Sequence, residues 1–461
     1  MKKNDKSIQV RSMLFLFLSL SGFFLIENSS YSPANWSIID NFRFGPNELG
    51  APTPKSLFTK ILSTDILKDT EKRISQNFEV PKGLESRVNF WIEIYSEYSS
   101  ENKIIHHLDY PWIKYEVFNI SDILARPARF NWINPEKAEK ETEKKLQFVK
   151  SKIASLYKKL KKNVSGQPTV NYDPSSLGLD DEETKYFMML KSIPGSLTKN
   201  IRTAMTRIRV QTGQKDFFQK GLQLANRYLP HMEQIFIEHG LPPEISRLPL
   251  VESSFDKTAT SKVGAAGLWQ FMNHTGKKFL VINSFIDERR SPLKSTEAAA
   301  ELLKENYLIM GRSWPLAITA WNHGPAGLRK AVKTLNTKDI VNIITYFESK
   351  RFSFASENFY SEFLAALYVE KYSDKIFENI VPVPTLIFTP YKLTQRIRPQ
   401  KIFKNINITE NDFVDFNPDL KKAVKLNLPL PKGLTVFIQP DKVQDLAKLE
   451  NQKVARNEYT K

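Results

Sequence analysis

The sequence predicts a mainly α-helical protein of several units, and three observations carry that prediction. Apolar residues recur at helical spacing over most of the segment from about 200 to 375. Short loops of glycine, proline and serine separate those segments and act as punctuation. With 461 residues, 41% of them hydrophobic and 25% charged, the chain is too long for one ordinary core and has the composition of a folded protein.

The first thirty residues are read as an export signal. Lys2, Lys3, Lys6 and Arg11 precede the apolar run MLFLFLSLSGFFLI, Met13 to Ile26. That length fits a secretory hydrophobic region and falls short of a membrane span. An uncleaved N-terminal anchor is the alternative. Residues 31–135 are taken as an N-terminal module, loosely structured to about residue 80. Within it LESRVNFWIEIYSEY has helical spacing, and DYPWIKYEVFNI is strand-like or irregular.

Residues 136–220 form a helical lead-in. Leu146, Val149, Ile153, Leu156 and Leu160 fall on one helix face, with Pro135 at the start and a loop from Gly166 to Asn171 at the end. The segment 200–239 continues as helix, closed by Gly240. Residues 221–378 are the central helical domain, in which Ser295 is read as the N-cap of STEAAAELLKENYLIMG and Gly311 as its stop. VPVPT, Val381 to Thr385, reads as a linker. Residues 386–440 form a small α+β module ending in the turn and strand LPKGLTVFIQP, and 441–461 form a charged, fraying tail.

Several chemistries are excluded or unsupported. There is no cysteine, so disulfides, thiolate nucleophiles and lipid attachment through an N-terminal cysteine are out. None of the six histidines has zinc-ligand spacing, no serine sits in a Gly-x-Ser-x-Gly elbow, and no phosphate-binding loop occurs. No metal or cofactor is expected. The net charge of +17 suits an acidic polymer or an anionic surface, or serves solubility alone; no nucleic-acid signature accompanies it.

One stretch concentrates the remaining chemistry: LPLVESSFDKTATSKVGAAGLWQFM, Leu248 to Met272. Glu252 follows an apolar run at the end of a helix that starts near Pro242 and Pro243 and bends or restarts at Pro249. Apolar neighbours and the negative helix end both raise a carboxyl pKa, and a protonated carboxyl can act as general acid. Periodicity alone leaves two readings, an acid facing water and a buried working acid, and favours the first. Glycosidases ordinarily pair two carboxyls. The neighbours Asp256, Asp287 and Glu288 read as a turn cap and ion-pair partners, so a one-acid mechanism fits better.

The segment GLPPEISRLPLVESSFDKTATSKVGAAGLWQFMNHTG resembles the lytic murein transglycosylases with a soluble-lytic-transglycosylase-like domain, nearest the membrane-bound D subgroup. DERRSPLKSTEAAAELL, PLAITAWNHGPAGLRKA, ENFYSEFLAAL and the lead-in RIRVQTGQKDFFQKGLQLANRYL resemble further segments in the same order. The resemblance implies a goose-type-lysozyme-like α fold acting on peptidoglycan glycan strands in the periplasm, or in association with membrane or wall. It implies that Glu252 is the single acid/base. The bond between N-acetylmuramic acid and N-acetylglucosamine would then be cut without water, leaving a 1,6-anhydro ring.

By position it assigns Ser261, Gln270, Trp321 and Asn322 to the substrate groove, and Tyr360 to the late tyrosine whose hydroxyl approaches the acid. Trp321 stands where tyrosine is usual, which puts a hydroxyl role there in doubt. The last module resembles lysin-motif wall-binding modules, without their usual opening residues. A hydrolysing muramidase and a catalytically silent wall-binding protein are the alternatives.

Overall fold

The structure is a computed structural model that describes residues 62–127, 133–164 and 174–458. The export segment and the loop after the long lead-in helix lie outside the described residues. No helix among those described is long and apolar enough to cross a membrane.

The described part is mainly helical, as the spacing requires. Helix α1 (Glu85–Ser96) is followed by strands β1 (Asn102–His107) and β2 (Lys114–Asn119), and by the long helix α2 (Ile133–Val164). Next come α3 (Asp181–Lys191), α4 (Leu197–Ala204), strand β3 (Ile208–Thr212), α5 (Lys215–Ala225) and α6 (Leu229–Glu238). A 3-10 turn, Pro243–Arg247, leads into the short α7 (Leu248–Glu252). Helices α8 (Pro292–Ile309), α9 (Trp314–His323), α10 (Pro325–Leu335), α11 (Ile340–Tyr346) and α12 (Phe354–Lys371) complete the central unit.

The segment expected to be helical from 200 to 239 contains β3. Isoleucine, valine and threonine alternate with arginine and glutamine in IRVQT, a pattern with period two rather than 3.6. β3 pairs antiparallel with β1, giving the order β2-β1-β3. Gly213 then passes against Tyr98 and Ser99, where a Cβ would come within 2.3 Å of their carbonyl oxygens.

β1 is a partition. Its successive side chains point to opposite faces, so Ile104 joins the central core while Ile105 joins a second core. The α2 stripe fills that second core: Val149, Ile153, Leu156 and Leu160 are fully buried, against Phe187, Leu190 and Ile201. Core membership does not follow the expected divisions near residues 135 and 220. Helix α1 packs into the central core with α12, and so do Ile66, Ile74 and Phe78 from the region read as loose.

Two further expectations are corrected. Ser291, not Ser295, occupies the N-cap position of α8; Pro292 takes the first helical place, where its missing N–H costs nothing. Ser295 is buried one turn in, and its hydroxyl donates to Ser291 O at 2.6 Å. The stretch from Asp441 does not fray at its start. Helix α15 (Val443–Glu458) follows β4 (Thr389–Lys392), α13 (Pro399–Ile406), α14 (Glu410–Phe416) and β5 (Thr435–Ile438), and buries Leu446 and Leu449 in a third core. Glu450 is buried there and accepts from Tyr391, at 2.8 Å, and from the Thr394 hydroxyl, at 2.8 Å. β4 and β5 pair antiparallel.

VPVPT is tied down rather than free. Val383 N donates to Gln223 O, and Leu386 N to Arg227 O, each at 2.9 Å, so the segment lies along the C-terminal end of α5.

Candidate active site

Glu252 is the last residue of α7. The proline pair makes a 3-10 turn, and α7 starts afresh with Pro249 in its first turn. Ser254 and Phe255 then both adopt positive φ, 49° and 57°, which ends the helix abruptly. Gly221 of α5 permits this: Ser254 backbone atoms lie 3.1–3.3 Å from where its Cβ would stand.

The carboxyl does not face water. Glu252 is only 3% exposed, and burial pushes its pKa up to about 8. The water-facing reading that periodicity favours is therefore overturned. Periodicity sees only α7, whereas α12 and α5 pack against it and Trp321 of α9 reaches its carboxyl. A five-residue helix has little dipole, and desolvation is the largest cause of the shift. One group works the other way: Trp321 Nε1 donates to Glu252 Oε1 at 3.0 Å and stabilises the ionised form. The doubt over a lost hydroxyl at Trp321 has a structural answer, because the indole supplies a donor of its own. The Trp321 ring is half-buried and meets Trp269 and Phe271 edge-on, at 5.6 and 5.2 Å.

The turn after Glu252 is built by reciprocal bonds. Ser261 N donates to Ala265 O, and Ala265 N to Ser261 Oγ, each at 2.9 Å. Ser261 is thus occupied in holding the turn. Gln270, at φ 48° and 8% exposed, uses its Nε2 on Gly267 O at 2.7 Å, while its Oε1 is buried without a hydrogen-bond partner. Ser253 Oγ donates to Leu268 O at 2.9 Å, which fixes the return strand beside the acid. Asn322 accepts from Ser356 Oγ at 3.0 Å, and its Nδ2 is buried without a partner.

Tyr360 is buried in α12 with its ring stacked on Phe363 at 6.4 Å, and no hydrogen bond joins it to Glu252 among the described residues. The tyrosine that senses Glu252 is Tyr95 of α1. Burial raises its pKa most, followed by the charges of Glu362 and Glu252. Arg87 and Trp91, one turn apart on α1, both donate to Asn358 Oδ1 of α12, at 2.9 and 3.1 Å. Tyr95 and Glu362 each lie one turn further along those helices, and Glu362 is fully buried. The polar residues Arg87, Asn358 and Glu362 at helical spacing within apolar stripes were the available signal; α1 read as an ordinary core helix.

Arg289 was also missed in its main role. It pairs with Asp287 through Nε and Nη2, and its Nη1 donates to Gly264 O at 2.8 Å and Phe271 O at 3.0 Å. It thereby clamps both ends of the turn that carries Ser261 and Gln270.

The three acids near Glu252 in sequence are engaged. Asp256 accepts from Thr258 N at 2.7 Å, Asp287 pairs with Arg289, and Glu288 pairs with Lys294 at 3.0 Å. Among the described residues no cluster of side chains could hold a metal ion.

Residues 237–344 match the family model described as the transglycosylase SLT domain. Proteins named membrane-bound lytic murein transglycosylase D, from Escherichia coli K12 and from Escherichia coli O6:H1, are each 37% identical over 98 residues, covering 21% of this chain and 22% of theirs. A putative tributyltin chloride resistance protein of Alteromonas sp. (strain M-1) is 31% identical over 115 residues, 25% of this chain and 56% of its own. The chain thus spans about a fifth of the length of the Escherichia coli relatives it matches. The match covers α7, the clamped turn, α8, α9 and α10, the elements that place Glu252, Gln270 and Trp321, so this part of the chain is similar to the transglycosylase SLT domain.

Proposed function

We propose that the protein is a peptidoglycan lytic transglycosylase that cleaves the β-1,4 bond between N-acetylmuramic acid and N-acetylglucosamine, with Glu252 as its only acid/base. The observation that carries this reading is the buried carboxyl of Glu252, with its pKa raised to about 8 and one N–H donor from Trp321. At neutral pH it is protonated and can give its proton to the glycosidic oxygen as the C1–O bond breaks. The carboxylate so formed is stabilised by the Trp321 N–H. It then takes the proton of the muramyl C6 hydroxyl, whose oxygen bonds to C1 and closes the 1,6-anhydro ring. The acid ends as it began, and no water is consumed. The engagement of Asp256, Asp287 and Glu288 elsewhere favours this over a two-carboxylate hydrolysis.

In this reading Gln270 Oε1 and Asn322 Nδ2, polar atoms without protein partners, address the sugar, and Trp321 offers it a ring face. Ser261 shapes the groove through the turn, and Tyr360 supports it from behind. The small C-terminal unit, strand–helix–helix–strand in outline, acts as a wall-binding module of lysin-motif kind. Export to the periplasm, through the N-terminal apolar segment, places the enzyme at its polymer.

The test is digestion of purified sacculi by the full-length protein and by its Glu252→Gln variant, with mass spectrometry of the products. Anhydromuramyl ends from the parent alone are expected, with the variant slower by at least about a thousandfold. Reducing ends would indicate a hydrolysing muramidase, and binding without cleavage a silent wall-binding protein. Activity should fall as pH rises through about 8, where Glu252 loses its proton.

A further inference from the structure

A second recess adjoins this site. It is a cavity of about 350 Å³ where α9 ends and the segment between α11 and α12 passes, lined by His323, Gly327, Lys330, Phe347, Lys350 and Arg351. That volume admits a group of several heavy atoms. Its lining holds three cations and no carboxylate. Among the described residues Lys330, Lys350 and Arg351 form no ion pair, so their charges face the recess uncompensated, whereas Arg247 and Lys294 of the central unit are held by acids. Glu348 lies in the same segment, exposed and outside the lining. The cavity also borders the first turn of α10, the electropositive end of an eleven-residue helix.

The recess is continuous with the reacting residues. Trp321 donates to Glu252; Asn322 follows, with its unpartnered Nδ2; His323 comes next, its Nδ1 3.1 Å from the Ser356 Oγ that donates to Asn322. Three consecutive residues at the end of α9 therefore run from the acid to the cationic cavity. Gly327 leaves room for the His323 ring, since a Cβ there would stand 2.5 Å from His323 Nε2 and push the ring aside.

We propose that this cavity is a subsite for the carboxylates of the peptides carried on the glycan, so that strands bearing stem peptides are cut in preference to bare ones. The inference rests on the proposed action on peptidoglycan, whose muramyl residues carry short peptides with free carboxylates. A carboxylate beside exposed cations in a recess gains Coulomb energy that salt screens. An apolar wall from Phe347 accommodates the peptide's carbon skeleton.

The experiment compares intact sacculi with sacculi stripped of peptides by an amidase, using the full-length protein and a Lys330→Gln/Lys350→Gln/Arg351→Gln variant. The kcat/KM ratio, peptide-bearing over bare, should exceed one in the parent and fall roughly tenfold in the variant. In parallel, calorimetry with the full-length Glu252→Gln protein compares a disaccharide-tetrapeptide with the disaccharide alone. The peptide should tighten binding, and high salt should erase the difference. A ratio of one in the parent, a ratio unmoved by the triple change, or equal binding of the two ligands overturns the subsite. Absence of cleavage of both substrates by the parent would instead overturn the proposed transglycosylase activity, and the binding arm would still decide the subsite.

Discussion

At the scale of single residues, Glu252 is costly to the fold that carries it. Its folded-state pKa of about 8 lies above the ordinary carboxylate value of 4.5. Between those values the folded protein binds a proton that the unfolded chain releases, so stability falls as pH rises from about 4.5 to about 8. Below that window both states are protonated and the cost vanishes. Glu252→Gln removes the ionisable group and keeps the shape and one acceptor oxygen for Trp321. The variant should therefore be more stable than the parent at pH 7–8, by on the order of 3–4 kcal/mol, with the gap closing toward pH 4.5. Denaturant unfolding across that range measures it; a gap independent of pH would show that the carboxyl is already ionised.

At the scale of elements, the segment from Thr260 to Phe271 is shaped by backbone contacts rather than by side-chain packing. Gly267 sits at φ 78°, where a Cβ would lie 1.8 Å from Arg289 O. Both the conformation and the space exclude a side chain. Gly267→Ala should destabilise the protein by about 2–4 kcal/mol and lower activity by displacing Gln270, whose Nε2 is bonded to Gly267 O. Thermal melting and turnover on sacculi measure the two effects. GAAG reads in the sequence as a small-residue turn. The need for glycine at its last position comes from Arg289, which is distant in sequence and invisible to local pattern. β3 differs: its period-two alternation is present in IRVQT, but over only five residues between helical segments, and pairing with β1 is what makes it a strand.

At the scale of the whole molecule, the C-terminal unit is docked beside the site. Arg227 and Lys257 both pair with Asp415, and Lys257 closely follows Glu252. Deeper in the contact, Lys294 of α8 bonds Asp419 at 2.8 Å and Glu288 at 3.0 Å. Burial opposes the charged lysine, but its two acids outweigh it and hold its pKa up; burial pushes Asp419 up against the pull of that single shared cation. Replacing Lys294 by methionine leaves the buried Asp419 and the half-buried Glu288 without their cation. Lys294→Met should cost about 3–5 kcal/mol and loosen the C-terminal unit. Limited proteolysis checks this: cleavage at the VPVPT strap should be faster in the variant than in the parent.

The sequence by itself determined the helical class, the α2 stripe, a break at Pro249 and the identity of the one acid worth testing, because each is written in local spacing or in an ordered set of motifs. The tertiary structure decided what those residues experience. Glu252 is buried because α12 and α5 pack against a helix of only five residues, and desolvation is a property of the surroundings, not of the chain near the acid. Trp321 serves as a donor because α9 aims its N–H at Glu252 Oε1. Tyr95 and Glu362 meet because α1, far upstream of the matched domain, packs against α12. Contacts between residues so far apart leave no period in a sequence, and they set the charge state on which the chemistry depends.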